Sequence, residues 1–457
     1  MSRQSNMQRS EIHTEEVALF SLPPVNVGED KVSWTEYRPS FMTSGEYSSI
    51  QFNILGNSTQ YVDLGRTELH IRVRIVKDDG TPIDMSVVNN PESGVPIDNI
   101  LHSMWSSVDI KMNHCLASTS GTDYMYKALL ETLLNYDYGA KKYQLSAIGF
   151  TGDDGNFAQT HYDQTEYNHG LRTRGQWFAT SSHVEFAGPL LADICNQERL
   201  ILNAVDIDIK LWPTRDEFRL MTAPKELKCK VIIDEVYLNV CKVEVSPVVM
   251  LGHDAGLEIT STKYPMQRTD IRTFNVAQNS YGTVLEDIWQ GEVPSRLIVG
   301  MVKSQAYSGD FQLNPYMFEH FNVSSVGFYV NSEPTPRQPM EFDFENGKYL
   351  EGYRSLYRVS GKLNENSDIG ITRENYKHGN CLIAFDVDPT TSPDFRYIGK
   401  PKQGHTKLDI KFKKHLEQAV TVILYATFPE TLEIDRERNV RLEVRDNLQQ
   451  ARQRGQK

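Results

Sequence analysis

The sequence predicts an all-β protein made of two tandem antiparallel domains, and three observations predict it. Apolar and polar residues alternate along Leu69-His70-Ile71-Arg72-Val73-Arg74-Ile75, Val205-Asp206-Ile207-Asp208-Ile209-Lys210-Leu211 and Leu408-Asp409-Ile410-Lys411-Phe412. A period of two buries one face of a strand and wets the other, the signature of antiparallel sandwiches rather than of buried parallel sheets. Only one helical period interrupts the strands: Met125, Leu129, Leu133 and Tyr136 share a face, with Thr122 as N-cap and Gly139 as stop. At 457 residues the chain exceeds one ordinary core, so two domains of about 200 residues are expected.

In chain order, residues 1–31 form an arm containing Pro23-Pro24, ahead of strands at Tyr47–Leu55 and Tyr61–Val76. Asp78–Pro96 is loop, Leu101–Leu116 a strand pair, and the helix follows near 122–137. Gly149–Gly175, rich in Gly and Asp, reads as a long surface loop, a length that connections carry when they serve a function. Strands resume at Gln176–Phe186, Leu200–Leu211 and Cys229–Val245. The last slips phase near Asp234-Glu235, as a β-bulge would make it do. Ser246-Pro247 ends the first domain (32–246), and a second set of strands fills 247–432. These are Arg268–Val276, Arg296–Val302, Val323–Val330, Met340–Phe344, Leu382–Val387, Lys407–Phe412 and Val420–Phe428. Phe344–Tyr376 and Asp388–Gly404 are long connections, and 433–457 is a charged tail. Short strands joined by long connections at one end suit Greek-key jelly rolls better than up-and-down barrels.

Composition narrows function further. A net charge of -12 repels phosphates, so the body is not a nucleic-acid binder. Cys115, Cys195, Cys229, Cys241 and Cys381 form no CxxC pair, which excludes the usual zinc spacing and suits reduced thiols. No apolar h-region marks a signal peptide, and Val420–Ala426 is strand-sized rather than membrane-sized. Phosphate loops and the HExxH and GxSxG motifs are absent. His161, His169 and His183 with Asp163 and Glu166 match no ligand spacing and read as solvated loop residues. His378 and Cys381 would point to opposite faces of a strand entry. Trp105, Trp177, Trp212 and Trp289 read as core or interface filler. No catalytic, cofactor-binding or metal-binding residue is expected. Arg452, Arg454 and Lys457 close the chain without a nearby acid, either as a frayed tail or as a basic tag making weak contact with a genome.

Several blocks in order carry a family resemblance. They are Asp98–Ile110, Tyr124–Leu134, Asn196–Asn203, Leu313–Phe318, Asn380–Val387 and Glu433–Val440. Over about Val32 to Val440 the chain resembles the major capsid proteins of Polinton/Maverick elements and adintoviruses. That resemblance implies a double jelly roll of about eight strands per barrel. It also implies homotrimers that give a pseudo-hexagonal tile of an icosahedral shell around double-stranded DNA. The partners implied are further copies of the chain and a penton or minor capsid protein. The location implied is the virion, assembled in the host nucleus or cytoplasm. Gly149–Gly175 and Phe344–Tyr376 are then expected at trimer contacts or on the outer tower. The alternatives are a β-sandwich that binds or processes glycans, and a host gene left by an integrated element.

Overall fold

The computed structural model describes residues 28–42, 48–83, 92–158, 167–389 and 399–442. The first barrel is formed by β1 (Glu29–Tyr37), β2 (Ile50–Ile54), β3 (Gln60–Lys77), β4 (Trp105–Met112), β5 (Cys115–Thr119), β6 (Val184–Pro189), β7 (Ile207–Pro213) and β8 (Cys229–Val245). The second repeats the set as β9 (Thr262–Val276), β10 (Gly282–Glu286), β11 (Arg296–Lys303), β12 (Val323–Val330), β13 (Glu333–Pro334), β14 (Leu382–Asp386), β15 (Thr406–Phe412) and β16 (Val420–Ile434).

The sheets establish the topology. In the first barrel they run β1-β8-β3-β6 and β2-β7-β4-β5; in the second, β9-β16-β11-β14 and β10-β15-β12-β13. Adding eight to each label of the first barrel reproduces the second, and the ladders are antiparallel throughout. Two sheets sharing this four-strand order and closed over one core make a jelly roll, here made twice, with the short strands Phe41–Met42, Met340–Glu341 and Val440–Leu442 added to three of the four sheets.

Alternation builds each core. Along β3, Leu69, Ile71, Val73 and Ile75 are buried while His70, Arg72 and Arg74 stay partly in water. Phe52 of β2, Ile110 of β4 and Ile209 of β7 meet them from the facing sheet. In the second barrel Leu408 and Ile410 of β15 and Phe328 of β12 play that part. The register of β8 against β3 shifts between Ile233 and Glu235, the bulge expected from the phase slip. β4 turns into β5 through Asn113 (φ 43°) and His114 (φ 70°), and β12 into β13 through Asn331 (φ 50°) and Ser332 (φ 70°). Two left-handed residues match the twist of a tight hairpin, and Asn tolerates that conformation.

Several expectations are corrected. The predicted helix forms as α1 (Tyr124–Asn135), preceded by Asp123 rather than Thr122 at the cap, and Gly139 sits inside α2 (Tyr138–Lys142). It is not the chain's one helix. α3 (His169–Trp177) occupies the supposed surface loop, where Phe157, Leu171 and Arg174 are buried. α4 (Pro247–Leu257) links the barrels, and α5 (Leu350–Val359) and α6 (Arg373–His378) fold the long second-half connection. Strand β1 begins at Glu29, so the last three residues of the stretch expected as arm, 29–31, are strand. At the other boundary β16 runs to Ile434 and Val440–Leu442 pairs back on it, inside the stretch expected as tail. Residues 1–27 of the arm lie outside the described residues.

Both barrels stand with the same end up. Their long insertions β5–β6 and β13–β14 meet each other: Tyr138 N donates to Asp368 O and Lys141 Nζ to Ile369 O. The β5–β6 insertion also meets the β11–β12 connection, where Tyr126 Oη donates to Pro315 O and Asn314 Nδ2 donates to Asp153 Oδ2. The opposite end carries the tight hairpins, where Asn113 Nδ2 donates to the Arg438 carbonyl and Ser246 N donates to Gly28 O.

Candidate functional site

The chemistry-bearing side chains gather in the seam between the barrels. α1 lies there with every residue from Tyr124 to Leu134 buried. Its Tyr126 ring is surrounded by Phe218, Tyr307, Tyr316 and Phe318, at centroid distances of 5.7 to 6.3 Å. Aromatic edges and faces at such spacing add specificity to apolar burial, here across two domains.

Two charge clusters are buried within this packing. Lys127, 1% exposed, puts Nζ 2.6 Å from Asp193 and 3.7 Å from Glu131 one helical turn on. One ammonium faces two carboxylates there, and burial pushes the Glu131 carboxyl up to about 7 against the pull of Lys127. Arg174 is fully buried: Nε donates to Pro96 O, Nη1 to Thr151 Oγ1 and Nη2 to Asp153 Oδ1. Asp98 sits 3.3 Å from its Nη1 and accepts N–H bonds from Asn99, Thr151 and Gly152. Each of the three guanidinium nitrogens that Arg174 brings into the interior thereby has an oxygen partner.

A cavity of about 370 Å3 opens beside these groups, lined among others by Asp98, Lys141, Asp153, His169, Tyr316 and Asn375. Lys141 donates to the carbonyls of Leu133 and Ile369, one from each barrel, and burial lowers its ammonium to about 7. The cavity walls are thus occupied with holding the seam together. Asp98 and Asp153 are bound to Arg174.

Residues weighed from the sequence fall apart in space. His183 Nδ1 lies 2.7 Å from Asp234 on the sheet of the first barrel, while His169 opens α3. His161, Asp163 and Glu166 lie outside the described residues, as do Arg452, Arg454 and Lys457. His378 Nε2 pairs with Glu374 at 2.8 Å, whereas the Cys381 thiol is buried beside Tyr376 and pushed up to about 12, far from a thiolate at neutral pH. Cys195 is raised likewise, and burial depresses His102 to about 3. Among the described residues no cluster of three metal-ligating side chains occurs, and no helix is long and apolar enough to cross a membrane. Trp105 and Trp289 are core, as expected of filler, while Trp212 is 39% exposed with Lys210 over its ring.

The seam clusters were invisible in the sequence. Lys127 and Glu131, four apart on the helix, carry nothing in their spacing that marks burial, and Arg174 falls within the stretch expected as a surface loop. The one available signal was Val420–Ala426, apolar without alternation. Such a strand has both faces covered, and what covers the outer one is the seam.

No family model matches the sequence. It is 26% identical over 418 residues to an uncharacterized protein of Caenorhabditis elegans, spanning 89% of this chain and 96% of that one. Among solved structures, a chain of the Sputnik virophage superposes with a TM-score of 0.60 at 10% identity, covering 97% of this chain and 94% of that chain. The Faustovirus major capsid protein gives 0.56 at 9% identity, covering 93% of each chain. The mavirus major capsid protein gives 0.51 at 11%, covering 97% and 96%. Coverage this complete takes in both barrels and the seam between them. The chain therefore has the double jelly-roll fold found in these viral capsid structures.

Proposed function

We propose that this chain is a major capsid protein, a structural element without catalysis, of the Polinton/Maverick and adintovirus lineage. Three copies close into a ring of six barrels, and such rings tile an icosahedral shell around double-stranded DNA, meeting a penton or minor capsid protein at the vertices. Its place is the virion, after assembly in the host nucleus or cytoplasm.

The observation that carries this reading is the doubled strand order combined with fused insertion ends. Two equivalent barrels standing side by side supply two of six equivalent walls, and head-to-tail association closes into a ring where the rotation from copy to copy is one third of a turn. Many weak contacts between rings then add into a stable shell. Chains of net charge -12 repel one another, so apolar contact and salt screening must hold the ring. On this reading the segments 149–175 and 344–376 lie at trimer contacts or on the outer tower.

The test is the mass and outline of the purified protein. Sedimentation should give a species of about three 52.2 kDa chains, and negative-stain images a hexagonal outline. Compact monomers at every concentration would reject the proposal.

A further inference from the structure

The cavity of about 370 Å3 at the insertion ends is committed on its inner side and uncommitted at its mouth. Inside, Asp98 and Asp153 hold Arg174, and Lys141 holds the carbonyls of Leu133 and Ile369. At the mouth, exposed or half-buried, stand Tyr138, Lys142, Asp154, His169, Asn375 and Asn380, drawn from the insertions of both barrels. The side-chain amides of Asn375 and Asn380 bond to no described residue, although both residues are half-buried. Amides in a concave site normally find partners, and here only solvent or a ligand can supply them.

Tyr138 is 52% exposed yet held in place. Its N–H donates to Asp368 O at 2.7 Å, and its ring lies against Gly370, where φ is 70° and an added Cβ would come within 2.6 Å of the ring. Lys142 Nζ stands 5.7 Å from the ring centre. An aromatic ring fixed in this way offers contact area with little conformational entropy left to lose. Charge around the cavity is balanced, since the carboxylates of Asp98, Asp153 and Asp154 are set against the cations of Lys141, Lys142 and Arg174. Neither an anion nor a cation gains from such surroundings. Phe157 and Ile371 give the cavity apolar walls, and its volume is near the lower end of the ~300–1,000 Å3 range of small-molecule sites. It suits one ring rather than a chain of them.

We infer that this mouth binds the terminal sugar of a glycan, an uncharged ring whose C–H face stacks on Tyr138 while its hydroxyls bond to Asn375, Asn380 and Asp154. Hydroxyls both donate and accept, which suits a lining that offers amides, a carboxylate, an ammonium and an imidazole. The apolar face of the ring takes the part of Tyr138 now in water out of it. Tyr138 comes from the first barrel and Asn375 and Asn380 from the second, so a bound sugar also ties the two insertions together and stabilises the fold. Binding belongs to a single chain and does not depend on the proposed trimer. Where the insertion end faces outward, many copies on one shell add weak contacts of this kind into adhesion to a sugar-coated surface.

Two measurements on the full chain test it. One uses immobilised glycans ending in glucose, galactose, mannose or N-acetylglucosamine, beside sialylated and sulfated glycans. The other uses the same neutral sugars free in solution, read by saturation-transfer NMR. Neutral ends of at least one kind should bind. Tyr138→Ala, and separately Asn375→Ala combined with Asn380→Ala, should weaken that binding about tenfold, while Tyr138→Phe keeps it. Circular dichroism should not change, because Tyr138 is half in water. Free sugars that bind where no immobilised glycan does would support the site with a soluble sugar as its source. No binding in either format, binding to acidic glycans alone, or binding that survives both sets of substitutions would overturn the inference. A wild-type monomer that still binds sugar would remove the proposed function and leave this site standing.

Discussion

Arg174 in the seam, wholly buried against Asp98 and Asp153, and Arg74 on the open sheet of the first barrel, partly in water beside Asp234, are the same residue type meeting the same partner type. Their surroundings make them different devices. In the seam, low polarizability strengthens attraction but also raises the cost of any unpaired ion, so the cluster is complete and ties the insertions to one another. On the open sheet, water screens each pair, so the face stays soluble and can be covered without a large penalty. The difference teaches that the same ion pair must be completed by hydrogen bonds where the fold encloses it and need not be where water reaches it.

The largest effect is expected in the seam. Arg174→Met should cost about 3–5 kcal/mol, because it strands Asp98 and Asp153 without their cation. Urea denaturation would show it, and a loss below about 1 kcal/mol would mean that backbone N–H groups alone hold those carboxylates.

The pH dependence of the seam comes next. The Glu131 carboxyl, raised to about 7 by burial, keeps its proton in the folded chain where the unfolded chain has lost it. Its contribution to stability is therefore lost progressively as pH rises from the ordinary carboxylate range to about 7, and stays lost above that. Lys141, lowered to about 7, is charged in the unfolded chain at higher pH while already neutral in the fold, so its unfavourable contribution is relieved as pH rises above 7. Glu131→Gln leaves Lys127 balanced against Asp193 alone and should raise the melting temperature by a few degrees at pH 7 and hardly at all at pH 5. Equal shifts at both pH values would show that Glu131 is ionised throughout.

The smallest effect belongs to the open sheet. Arg74→Ala should change monomer stability by no more than about 1 kcal/mol, since its partner remains hydrated. A change as large as that of Arg174→Met would erase the distinction between the two regions.

Much of this architecture could be read from residues alone. The alternation along β3, β7 and β15 placed those strands, and β8 was delimited at both ends with its bulge. Period two is local, so it survives without knowledge of partners. The helices α3 to α5 escaped because their signals are short or mixed. α5 buries Gly352, Ser355, Leu356 and Val359 at helical spacing, yet two of those four are too small to stand out as apolar. α4 offers Val248, Val249, Met250 and Leu251 in a row, a run with no helical period at all.

By itself, then, the chain of residues determined which segments become strands, because each strand's inner face must be apolar wherever it docks. It also determined that two such sets follow one another. Only tertiary structure decided which polar residues would be buried. Lys127, Glu131 and Arg174 carry no mark of their fate, and their burial arises from segments more than sixty residues away for Lys127 and Asp193, and from across the barrel seam for Asp153 and Asn314. A charge is solvated or enclosed according to what packs over it, and that is a property of the whole fold.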